Sequence, residues 1–521
     1  MRRLVRVVTS EESAARDAAA IAAGIPSRAL MQRAGAAAAG EIALRYAAEL
    51  ASGVLVLAGP GNNGGDAWVA ARALAASGTR VRVVEPVEAK TDDARAERAL
   101  ARETLDGAAI VAWSGDGSLD RGERIVVDGL LGTGATGEPH GAIASAIRHV
   151  AELRARGAQV VALDVPSGVN ASTGAAANAV TADLTLTFGT VKRGQLVSRG
   201  HCGAIAVLDI GLGRHAQLTD DAPFLADERW VSAQIPAIDA EAHKGIRKKL
   251  VVVGGAEGMA GAALLAARAA LRSGIGMVKV VVAQASMAAV QEAEALALAA
   301  PWPTDPMGVD NAICSWADAV VVGPGLGRAK ESRTLVERVL TRWKGPVLLD
   351  ADALNVFAGD TQALASLIGK REAIITPHAV EFSRLFHVDA KAVLAQRFDV
   401  GANAARTLGA TVLLKGVPTI VTGPDGRRMV SAAGTPLLAS AGSGDVLSGI
   451  AGTLLAQLGD AFVAGAAGAW VHGHAAELAA STVRGATLDD LLAALRDSWR
   501  LEAQPTRYPL LAELPAVGDA R

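Results

Sequence analysis

The sequence lacks the features typical of secreted, membrane-spanning or nucleic-acid-binding proteins. Its 521 residues contain only two cysteines, Cys202 and Cys314, which are too few and too far apart to form a disulfide framework or a cysteine metal site. The 51 basic and 53 acidic residues leave a net charge of -2, so bulk charge gives no reason to expect nucleic acid or a membrane as a partner. Charged residues and glycines interrupt every apolar run before about 18 residues, the length of a membrane span.

The N-terminal residues carry no sign of a secretion signal. Thr9 is followed three residues later by Glu12, which predicts a helix capping box instead of the apolar stretch of a signal peptide. We therefore expect a cytoplasmic protein whose partners are small molecules.

The composition favours a two-domain α/β protein. Hydrophobic residues make up 51% of the chain and aromatic residues only 3%, a balance typical of small apolar helices packed on buried strands. Apolar strand-like runs alternate with helix-like runs, which indicates parallel sheets with helical crossovers. The alternation breaks in a segment containing Pro223 and Pro236, so we predict an N-terminal domain over 1–215, a linker over 216–241 and a C-terminal domain over 242–505.

Eleven strands and one hairpin can be predicted with their bounds. Those of the first half are 54–57, 81–84, 125–127, 160–163 and 184–188. Those of the second half are 250–253, 278–282, 319–322, 347–349, 374–376 and 412–414, followed by a hairpin of 419–422 and 428–431. In open sheets of this kind ligands bind where strands end, so we expect one active site in each half.

The turn from Gly442 to Asp445 is the strongest functional signal of the second half. Glycines let backbone N–H groups converge on an anion, and a helix N-terminus adds partial positive charge. Asp445, in the first turn of the predicted helix, can take a proton from an attacking hydroxyl. The alternative interpretation is an ordinary helix start.

Three loops of the first half also end predicted strands with polar residues. Asn63, Asp128 and Ser167 offer the hard oxygen ligands that suit a cation, and Asp164 can act as an acid or a base. Residues 59–66 also contain a formal G-x-G-x-x-G pattern with Glu85 about 20 residues on, so a Rossmann nicotinamide site is a rival interpretation.

The three loop sequences, 61–66, 127–134 and 164–170, resemble the NAD(P)H-hydrate epimerase family. The resemblance implies a Rossmann-like three-layer domain that interconverts the R and S forms of hydrated NADH or NADPH. It also implies that Asp164 is the catalytic acid or base and that K⁺ is held by Asn63, Asp128 and Ser167. The implied substrate contacts are Asn62, Asn63, Gly64, Gly65, Asp66, Gly132, Thr133, Gly134, Ala135, Thr136, Gly137 and Glu138.

The second half contains no Walker lysine loop, and its G-x-G-D turn resembles the ribokinase-like α/β fold. Its motifs 243–245, 258–262, 271–276, 350–355, 376–378 and 441–445 are similar to those of the ADP- or ATP-dependent NAD(P)H-hydrate dehydratases. In that family a nucleotide phosphorylates the hydroxyl of the S hydrate, and loss of phosphate restores the nicotinamide ring. The implied requirements are Mg²⁺ and ADP or ATP.

The same resemblance assigns roles within the second half. It makes Asp445 the base, and it places the hydrated substrate against Ala262, Gly325 and His378. The implied nucleotide contacts are Lys415, Gly416, Val417, Pro418, Thr419, Gly442, Ser443 and Gly444. His472 and His474 lie in an Ala-rich predicted helix, where we expect packing or surface roles.

Two enzymatic interpretations follow. The first is a bifunctional repair enzyme, an epimerase followed by an ADP-dependent dehydratase that yields AMP and phosphate. The second is a ribokinase-like vitamin or sugar kinase fused to a non-catalytic ligand-binding or scaffold domain. We expect a homo-oligomer in either case. Ala/Gly-rich helices such as 464–480 suit subunit contacts, and burial within one domain is the alternative interpretation of the same helices.

Overall fold

The computed structural model describes residues 4–113, 118–213, 221–238, 240–241, 246–479, 484–501 and 507–517. The chain forms two compact units. The N-terminal unit comprises residues 1–222 together with 505–517, and the C-terminal unit comprises 223–504 and 518–521. The motif His243-Lys244-Gly245 lies outside the described residues.

The N-terminal unit is built on an eight-stranded sheet. From one edge to the other its strands are Leu510–Leu514, Ala204–Leu208, Leu184–Phe188, Gln159–Leu163, Ile125–Gly129, Val54–Ala58, Val81–Glu85 and Ile110–Ala112. Seven of them are parallel, and the C-terminal strand Leu510–Leu514 pairs antiparallel with Ala204–Leu208. A separate parallel pair joins Val7–Val8 to Val191–Lys192.

Helices cover both faces of this sheet. They are Ser10–Ala22, Ser27–Arg45, Asn62–Ala76, Asp92–Thr104, Gly141–Ala155, Arg193–Val197 and Arg199–Cys202. Val54 and Val56 face a core shared with Trp68, whereas Leu55 faces a second core shared with Ile147. Alternate residues of one strand are therefore buried on opposite faces, which explains why the strands are continuous apolar runs and gives the predicted three-layer architecture.

The C-terminal unit contains a ten-stranded sheet. In order across the sheet its strands are Phe224–Leu225, Arg428–Ser431, Thr419–Thr422, Thr411–Leu414, Ala373–Ile375, Val347–Leu349, Ala319–Val322, Lys249–Val253, Met277–Val282 and Ala297–Pro301. The last seven strands of this order are mutually parallel, and the Thr419–Thr422 and Arg428–Ser431 hairpin continues the sheet in antiparallel fashion.

The helices of this unit again lie on two sides of the sheet. They are Glu228–Gln234, Ala260–Arg272, Met287–Ala293, Pro306–Val309, Lys330–Arg342, Asp352–Asn355, Thr361–Ile368, Ala379–Phe386, Ala390–Ala395, Gly401–Leu408, Ser443–Leu458, Ala461–Ala479 and Leu488–Ser498. Helix Lys330–Arg342 packs Leu335 and Val336 on one face. On the other face, helix Ser443–Leu458 comes so close that a Cβ on Gly452 would lie 2.5 Å from Val321.

The predicted α/β class is confirmed, and the eleven predicted strands and the hairpin all occur within two residues of their predicted bounds. Within the predicted linker the structure places the strand Phe224–Leu225 and the helix Glu228–Gln234. Helix Asn62–Ala76 takes the polar residues of the first glycine loop into its first turn. None of the described helices is both long enough and apolar enough to cross a bilayer.

Candidate active sites

The first candidate site lies where the strand order of the N-terminal sheet reverses direction. Strands Val54–Ala58 and Ile125–Gly129 are neighbours there, and the chain leaves them toward opposite sides. Their loops touch, since the N–H of Gly59 donates to the carbonyl of Gly129 at 3.1 Å. A Cβ on Gly59 would lie 1.8 Å from the carbonyl oxygen of Leu130, so only glycine allows this approach. Ligands of open α/β sheets bind at such a crevice.

Asn63 joins three loops at this crevice. Its Nδ2 donates to the carbonyls of Leu131 at 2.8 Å and Leu163 at 3.0 Å. These two bonds fix the orientation of the amide, and its Oδ1 is then buried without a hydrogen-bond partner among the described residues. A buried acceptor without a donor is unfavourable unless a cation or another donor meets it. Gly132 lies against the same side chain, because a Cβ there would be 3.0 Å from the Cβ of Asn63.

Asp128 and Ser167 are bonded to each other beside Asn63. Ser167 Oγ donates to Asp128 Oδ1 at 2.6 Å, and the Ser167 N–H donates to Asp128 Oδ2 at 2.8 Å. Both residues are buried, and burial raises the pKa of Asp128 against the opposing effect of these hydrogen bonds. No cationic side chain of the described residues pairs with Asp128, so its ionised form needs a positive charge from elsewhere. The three predicted oxygen ligands are therefore brought together in a site that suits a cation.

Asp164 is held at the end of the adjacent strand in the left-handed region, with φ of 58°. Its carboxylate accepts from Lys192 Nζ in an ion pair, from Thr187 Oγ1 at 3.2 Å and from the Phe188 N–H at 3.3 Å. Gln195 Nε2 donates to the Asp164 carbonyl at 2.6 Å. Such a conformation persists in a non-glycine residue only where its surroundings enforce it, and it is characteristic of functional sites.

Two further carboxyl groups surround Asp164. Burial raises the pKa of Asp66 well above its ordinary value, and the charges of Asp164 and Asp17 raise it further. Burial likewise raises the pKa of Asp17, which Lys192 partly offsets. Lys192 itself is buried, so its ammonium group is a single positive charge among the carboxyl groups of Asp17, Asp66 and Asp164.

The remaining predicted substrate contacts differ in exposure: Gly64 and Gly65 are buried in helix Asn62–Ala76, whereas Asn62 and residues 132–138 are at least partly exposed. Asn62 is exposed in the first turn of helix Asn62–Ala76, and residues 132–138 form a partly exposed loop after strand Ile125–Gly129. Glu138, at the end of that loop, accepts from Asn178 Nδ2.

The nicotinamide alternative depended on Glu85 being available to a ribose. The structure pairs its carboxylate with Arg98 at 2.7 Å and with the Ala89 N–H at 3.3 Å, and the side chain is buried. Glu85 is therefore occupied by the protein, and the G-x-G-x-x-G pattern here does not include a free ribose-binding acid.

The second candidate site lies at the start of helix Ser443–Leu458 in the C-terminal unit. Gly442 is the N-cap and has φ of 91°, a value that favours glycine. Asp445 is in the first turn, where its N–H donates to the Gly442 carbonyl at 3.0 Å. The predicted anion turn, Gly442 to Asp445, is thus formed as a glycine turn opening a helix.

The surroundings of Asp445 set its protonation. Burial raises its pKa to about 7, Asp350 raises it further, and Lys415 opposes them. A carboxyl group with this pKa can accept a proton near neutral pH more effectively than an ordinary aspartate.

Lys415 lies between the anion turn and a buried acid. Its Nζ is 2.8 Å from Asp350 Oδ1 and 3.7 Å from Glu381 Oε2. A Cβ on Gly444 would lie 3.2 Å from the same Nζ, which places the ammonium group against the anion turn. Burial alone would lower the pKa of Lys415, but Asp350, Glu381 and Asp445 outweigh it and raise that pKa.

Asp350 is fixed by two hydroxyl groups as well as by Lys415. Thr376 Oγ1 donates to its Oδ1 at 2.7 Å, and Ser448 Oγ donates to its Oδ2 at 2.7 Å. Burial works to raise the pKa of Asp350, but Lys415 and these hydrogen bonds hold it below its usual value. Lys415 and Asp350 therefore form a charged pair that is ionised at neutral pH.

His378, one of the implied substrate contacts, lies at the start of a helix. It caps helix Ala379–Phe386, and its Nδ1 accepts from the N–H groups of Val380 at 3.1 Å and Glu381 at 3.3 Å. Its ring is nevertheless half-exposed, and burial of the rest lowers its pKa, with Glu381 opposing. Its Nε2, on the half-exposed ring, lies 3.6 Å from Glu381 Oε1.

The loops of the second sheet reversal meet in the same way as those of the first. Strands Lys249–Val253 and Ala319–Val322 are neighbours, and the N–H of Ala256 donates to the Gly325 carbonyl at 2.7 Å. A Cβ on Gly325 would lie 3.0 Å from that of Ala262, so these two predicted substrate contacts are adjacent.

The predicted nucleotide loop, 415–419, begins at the charged pair and leads outward. The Lys415 N–H donates to the Pro377 carbonyl at 2.9 Å, while Gly416 and Val417 are exposed. Thr419 Oγ1 donates to the Gly416 carbonyl at 3.1 Å and closes the loop. Within the described residues, no three His, Cys, Asp or Glu side chains are grouped as ligands for a metal ion.

Several residues of the two sites escape prediction from sequence. Lys192 belongs to no motif and has no signal of its own. Asp350 lies at a strand end, the same signal that indicates Asp128 and Asp164, so its role in the site could have been predicted from the sequence. His472 was expected to be a packing residue; it is buried, its Nε2 is 3.4 Å from Ser443 Oγ, and burial lowers its pKa to about 4.

Comparison with known proteins identifies both halves. Residues 27–194 match the family model described as YjeF-related protein N-terminus, and residues 250–496 match that described as NAD(P)H-hydrate dehydratase. The bifunctional NAD(P)H-hydrate repair enzyme Nnr of Salinibacter ruber is 37% identical, with 80% of this chain and 81% of that protein covered. The enzyme of the same name from Moorella thermoacetica is 33% identical, with 88% and 89% covered.

A solved structure also resembles one half of the chain. ADP/ATP-dependent NAD(P)H-hydrate dehydratase from Bacillus subtilis is 29% identical and gives a TM-score of 0.49, with 55% of this chain and 100% of that chain covered. The similarity to the repair enzymes runs through both units and includes both glycine-turn sites. The chain belongs to the family of bifunctional NAD(P)H-hydrate repair enzymes.

Proposed function

We propose that the N-terminal unit epimerises R- and S-NAD(P)H hydrate and that the C-terminal unit dehydrates the S form with ADP as phosphoryl donor. The observation that carries this proposal is the pair of separate sheet reversals, each with its own acid. Asp164 is one of these acids and Asp445 is the other, set in a glycine turn that suits phosphate. Two acids in different units allow two reactions in one chain.

In the epimerase site, Asp164 is the acid or base beside the hydroxyl-bearing carbon. Lys192 holds its carboxylate in place, and Thr187 donates to the same oxygen at 3.2 Å. Asp66, whose pKa burial raises well above its ordinary value, is a second carboxyl group that can exchange a proton with Asp164 or with the substrate. The substrate would be held by residues 62–66 and 132–138, of which Asn62 and the 132–138 loop are at least partly exposed.

K⁺ fits the cluster of Asn63, Asp128 and Ser167. The buried Oδ1 of Asn63 lacks a donor among the described residues, and buried Asp128 lacks a cationic partner there. A monovalent cation bound by these oxygens would supply positive charge beside the anionic substrate. The three residues would fix the ion and, through it, the loops that they already join.

In the dehydratase site, Asp445 removes the proton from the hydroxyl of the S hydrate. The hydroxyl oxygen then forms a bond to the terminal phosphorus of ADP, and AMP leaves with the electrons of the broken bond. The turn of Gly442, Ser443 and Gly444 would hold the transferring phosphoryl group with the N–H groups of its two glycines. The Ser443 N–H donates to the Ser440 carbonyl at 3.3 Å. Loss of inorganic phosphate from the product restores the nicotinamide ring, so the balance is hydrate plus ADP to NAD(P)H, AMP and phosphate.

The other residues of this site position the two substrates. Lys415 puts a positive charge against Gly444, and residues 416–419 continue outward to meet the nucleotide. Mg²⁺ would enter with the nucleotide phosphates, as is usual for this cation. On the side proposed for the hydrated ring, Ala262 and Gly325 have no bulky side chains. His378 presents its half-exposed ring on the same side.

The test is to mix the purified chain with a scrambled R and S hydrate of NADH, ADP, Mg²⁺ and K⁺ and to follow NADH absorbance. We expect complete recovery with the wild type. Asp164→Asn should recover NADH only from the S fraction. Asp445→Asn should recover no NADH but should still equilibrate the R and S forms, as measured by chromatography. A stable phosphorylated product from vitamins or sugars, with no NADH recovery from folded protein, would instead favour the kinase alternative.

A further inference from the structure

A cavity lies in the C-terminal unit, away from the anion turn. Its volume is about 710 Å³, within the range of small-molecule pockets. The lining residues on which its chemistry depends are Ile235, Ile238, Arg247, Arg272, Arg496 and Trp499.

The cavity is separate from the anion turn because two helices span the distance between them. Helix Ala260–Arg272 contains the predicted substrate contact Ala262 in its first turn and ends at the cavity with Arg272. Helix Ser443–Leu458 begins at the anion turn, and its Gln457 lines the cavity. At 1.5 Å per residue, either helix puts the cavity about 20 Å from the anion turn.

The polar groups of the cavity are almost all donors. Arg247, Arg272 and Arg496 supply three positive charges, and no carboxylate is present among the described residues that line it. Neither Arg272 nor Arg496 has an ion-pair partner elsewhere in the described part of the chain. Arg272 and Arg496 are exposed, and arginines without an ion-pair partner that line one cavity can bind an anion such as a phosphate.

Two of the donors are buried and unsatisfied. One guanidinium nitrogen of Arg247 donates to the Gly274 carbonyl at 3.1 Å, but its Nε is buried without an acceptor in the described residues. The indole Nε1 of Trp499 is also buried without an acceptor there. Because buried donors are normally paired, these two nitrogens indicate a ligand that supplies acceptor oxygens or nitrogens.

The rest of the wall is apolar and partly aromatic. Ile235 and Ile238 line one part, and Trp499 contributes the largest flat surface. Such a wall suits a planar ring, since indole and heterocycles stack favourably. A ligand for this cavity therefore combines a phosphate with a flat heterocycle.

We propose that this cavity binds a nucleoside monophosphate, as a second ligand site distinct from the anion turn. The three arginines hold the phosphate, and the base stacks on Trp499 with its acceptors toward the two unsatisfied N–H groups. The site is defined by its own residues and does not depend on which reaction the anion turn catalyses.

The experiment measures AMP binding to the full chain by calorimetry. We expect two AMP molecules per wild-type chain. The double variant Arg272→Gln/Arg496→Gln should bind at one of them at least tenfold more weakly, with the other unchanged. Arg500→Gln is the matched control, because Arg500 is a nearby exposed arginine that pairs with Asp497 and does not line the cavity. It should behave as the wild type.

Photolabelling locates the site independently of affinity. We expect 8-azido-AMP to label the peptide that contains Trp499 as well as the 415–419 loop, and the double variant to lose only the first label. Trp499→Phe keeps the stacking surface but removes the N–H, so it should weaken binding several-fold without abolishing the label. Three results would overturn the proposal. They are labelling confined to 415–419, a single AMP site that the double variant leaves unchanged, and displacement of AMP by inorganic phosphate as effectively as by AMP itself.

Discussion

At the scale of single residues, the environment of Asp445 decides what this carboxylate can do. Burial raises its pKa to about 7, whereas an exposed aspartate in a helix first turn stays ionised and only weakly basic. We predict that Asp445→Asn lowers the dehydration rate by about 10³-fold or more, the range for loss of a general base, and leaves epimerisation intact. Stopped assays of NADH recovery and R/S ratio measure the two rates.

Glu331→Gln is the matched control for this substitution. Glu331 is also an acid in the first turn of a helix, but it is exposed on helix Lys330–Arg342. Its amide variant should keep both rates within about twofold. Loss of epimerisation in folded Asp445→Asn protein would contradict the assignment of one acid to each reaction.

The same pKa gives the pH dependence of dehydration. A base must be deprotonated to act, and a pKa of about 7 means that the active form is lost as the pH falls through 7. We expect kcat/KM for dehydration at pH 6 to be about a tenth of its plateau value above pH 8. The residual rate of Asp445→Asn should show no such change between pH 6 and 8. A plateau that continues down to pH 5 would mean that Asp445 is not the group that titrates.

Asn63 provides a test of the cation site. Because its Oδ1 is buried without a donor in the described residues, bound K⁺ should stabilise the N-terminal unit. At 100 times its dissociation constant, a ligand adds about 2.7 kcal/mol, or a rise of roughly 5–10 °C in Tm for a unit of this size. We expect that rise in KCl but not in choline chloride of equal ionic strength, measured by calorimetry of the first unfolding transition.

The substitution that checks this cation site is Asn63→Ala, which should abolish the K⁺ response whatever its own effect on Tm. Its neighbour Asn62 is exposed, so Asn62→Ala should keep the full response. An identical rise in Asn63→Ala would show that K⁺ binds elsewhere.

The residues that sequence could and could not indicate differ in a physical way. Asp128, Asp164 and Asp445 each follow an apolar strand or a glycine turn, so their neighbours along the chain reveal them. Lys192 acts through a contact with Asp164 across 28 residues, and nothing local distinguishes it from a surface lysine. Its burial, which makes it important, exists only after the fold has formed.

At the scale of elements, the last strand of the chain belongs to the first unit. Leu510–Leu514 pairs with Ala204–Leu208 and buries Leu510 and Leu514. Arg507 donates two hydrogen bonds to the buried carboxylate of Glu41, and Arg45 bonds to Glu513. Sequence could not predict this, because a five-residue strand that pairs some 300 residues away has no local sign of its partner.

We therefore predict that removing residues 507–521 destabilises the N-terminal unit and not the dehydratase. Loss of the strand exposes apolar side chains worth about 1.5–3 kcal/mol each and leaves Glu41 with one partner fewer. The Tm of the N-terminal transition should fall by about 10 °C, and epimerisation should fail first on heating. Differential scanning calorimetry with both activity assays measures this.

Glu513→Gln serves as the control for this truncation. It removes only the partly exposed Arg45–Glu513 pair and should shift that Tm by no more than about 2 °C. An equal loss of both activities on heating the truncated protein would contradict the assignment of the strand to the first unit.

At the scale of the whole molecule, the two units share one arrangement of sheet and loops but carry different chemical groups. Each unit has a parallel sheet, a reversal of strand order, and glycine loops that meet there. This arrangement was predictable, because buried parallel strands are apolar runs and the glycines follow them directly. What sequence could not give was the charged network around each acid, Lys192 in one unit and Asp350 with Lys415 in the other, since it joins distant segments.

Two self-contained sites should work without being in the same chain. The test mixes Asp164→Asn and Asp445→Asn, each at the concentration used for the wild type. The mixture then contains the same concentration of intact epimerase sites and of intact dehydratase sites as the wild-type sample. Because the R and S hydrates are small and diffuse freely, we predict that the mixture restores the full NADH absorbance within about twofold of the wild-type rate. The double variant Asp164→Asn/Asp445→Asn should recover nothing. A mixture more than about tenfold slower than the wild type would show that the hydrate must pass between two sites of one chain.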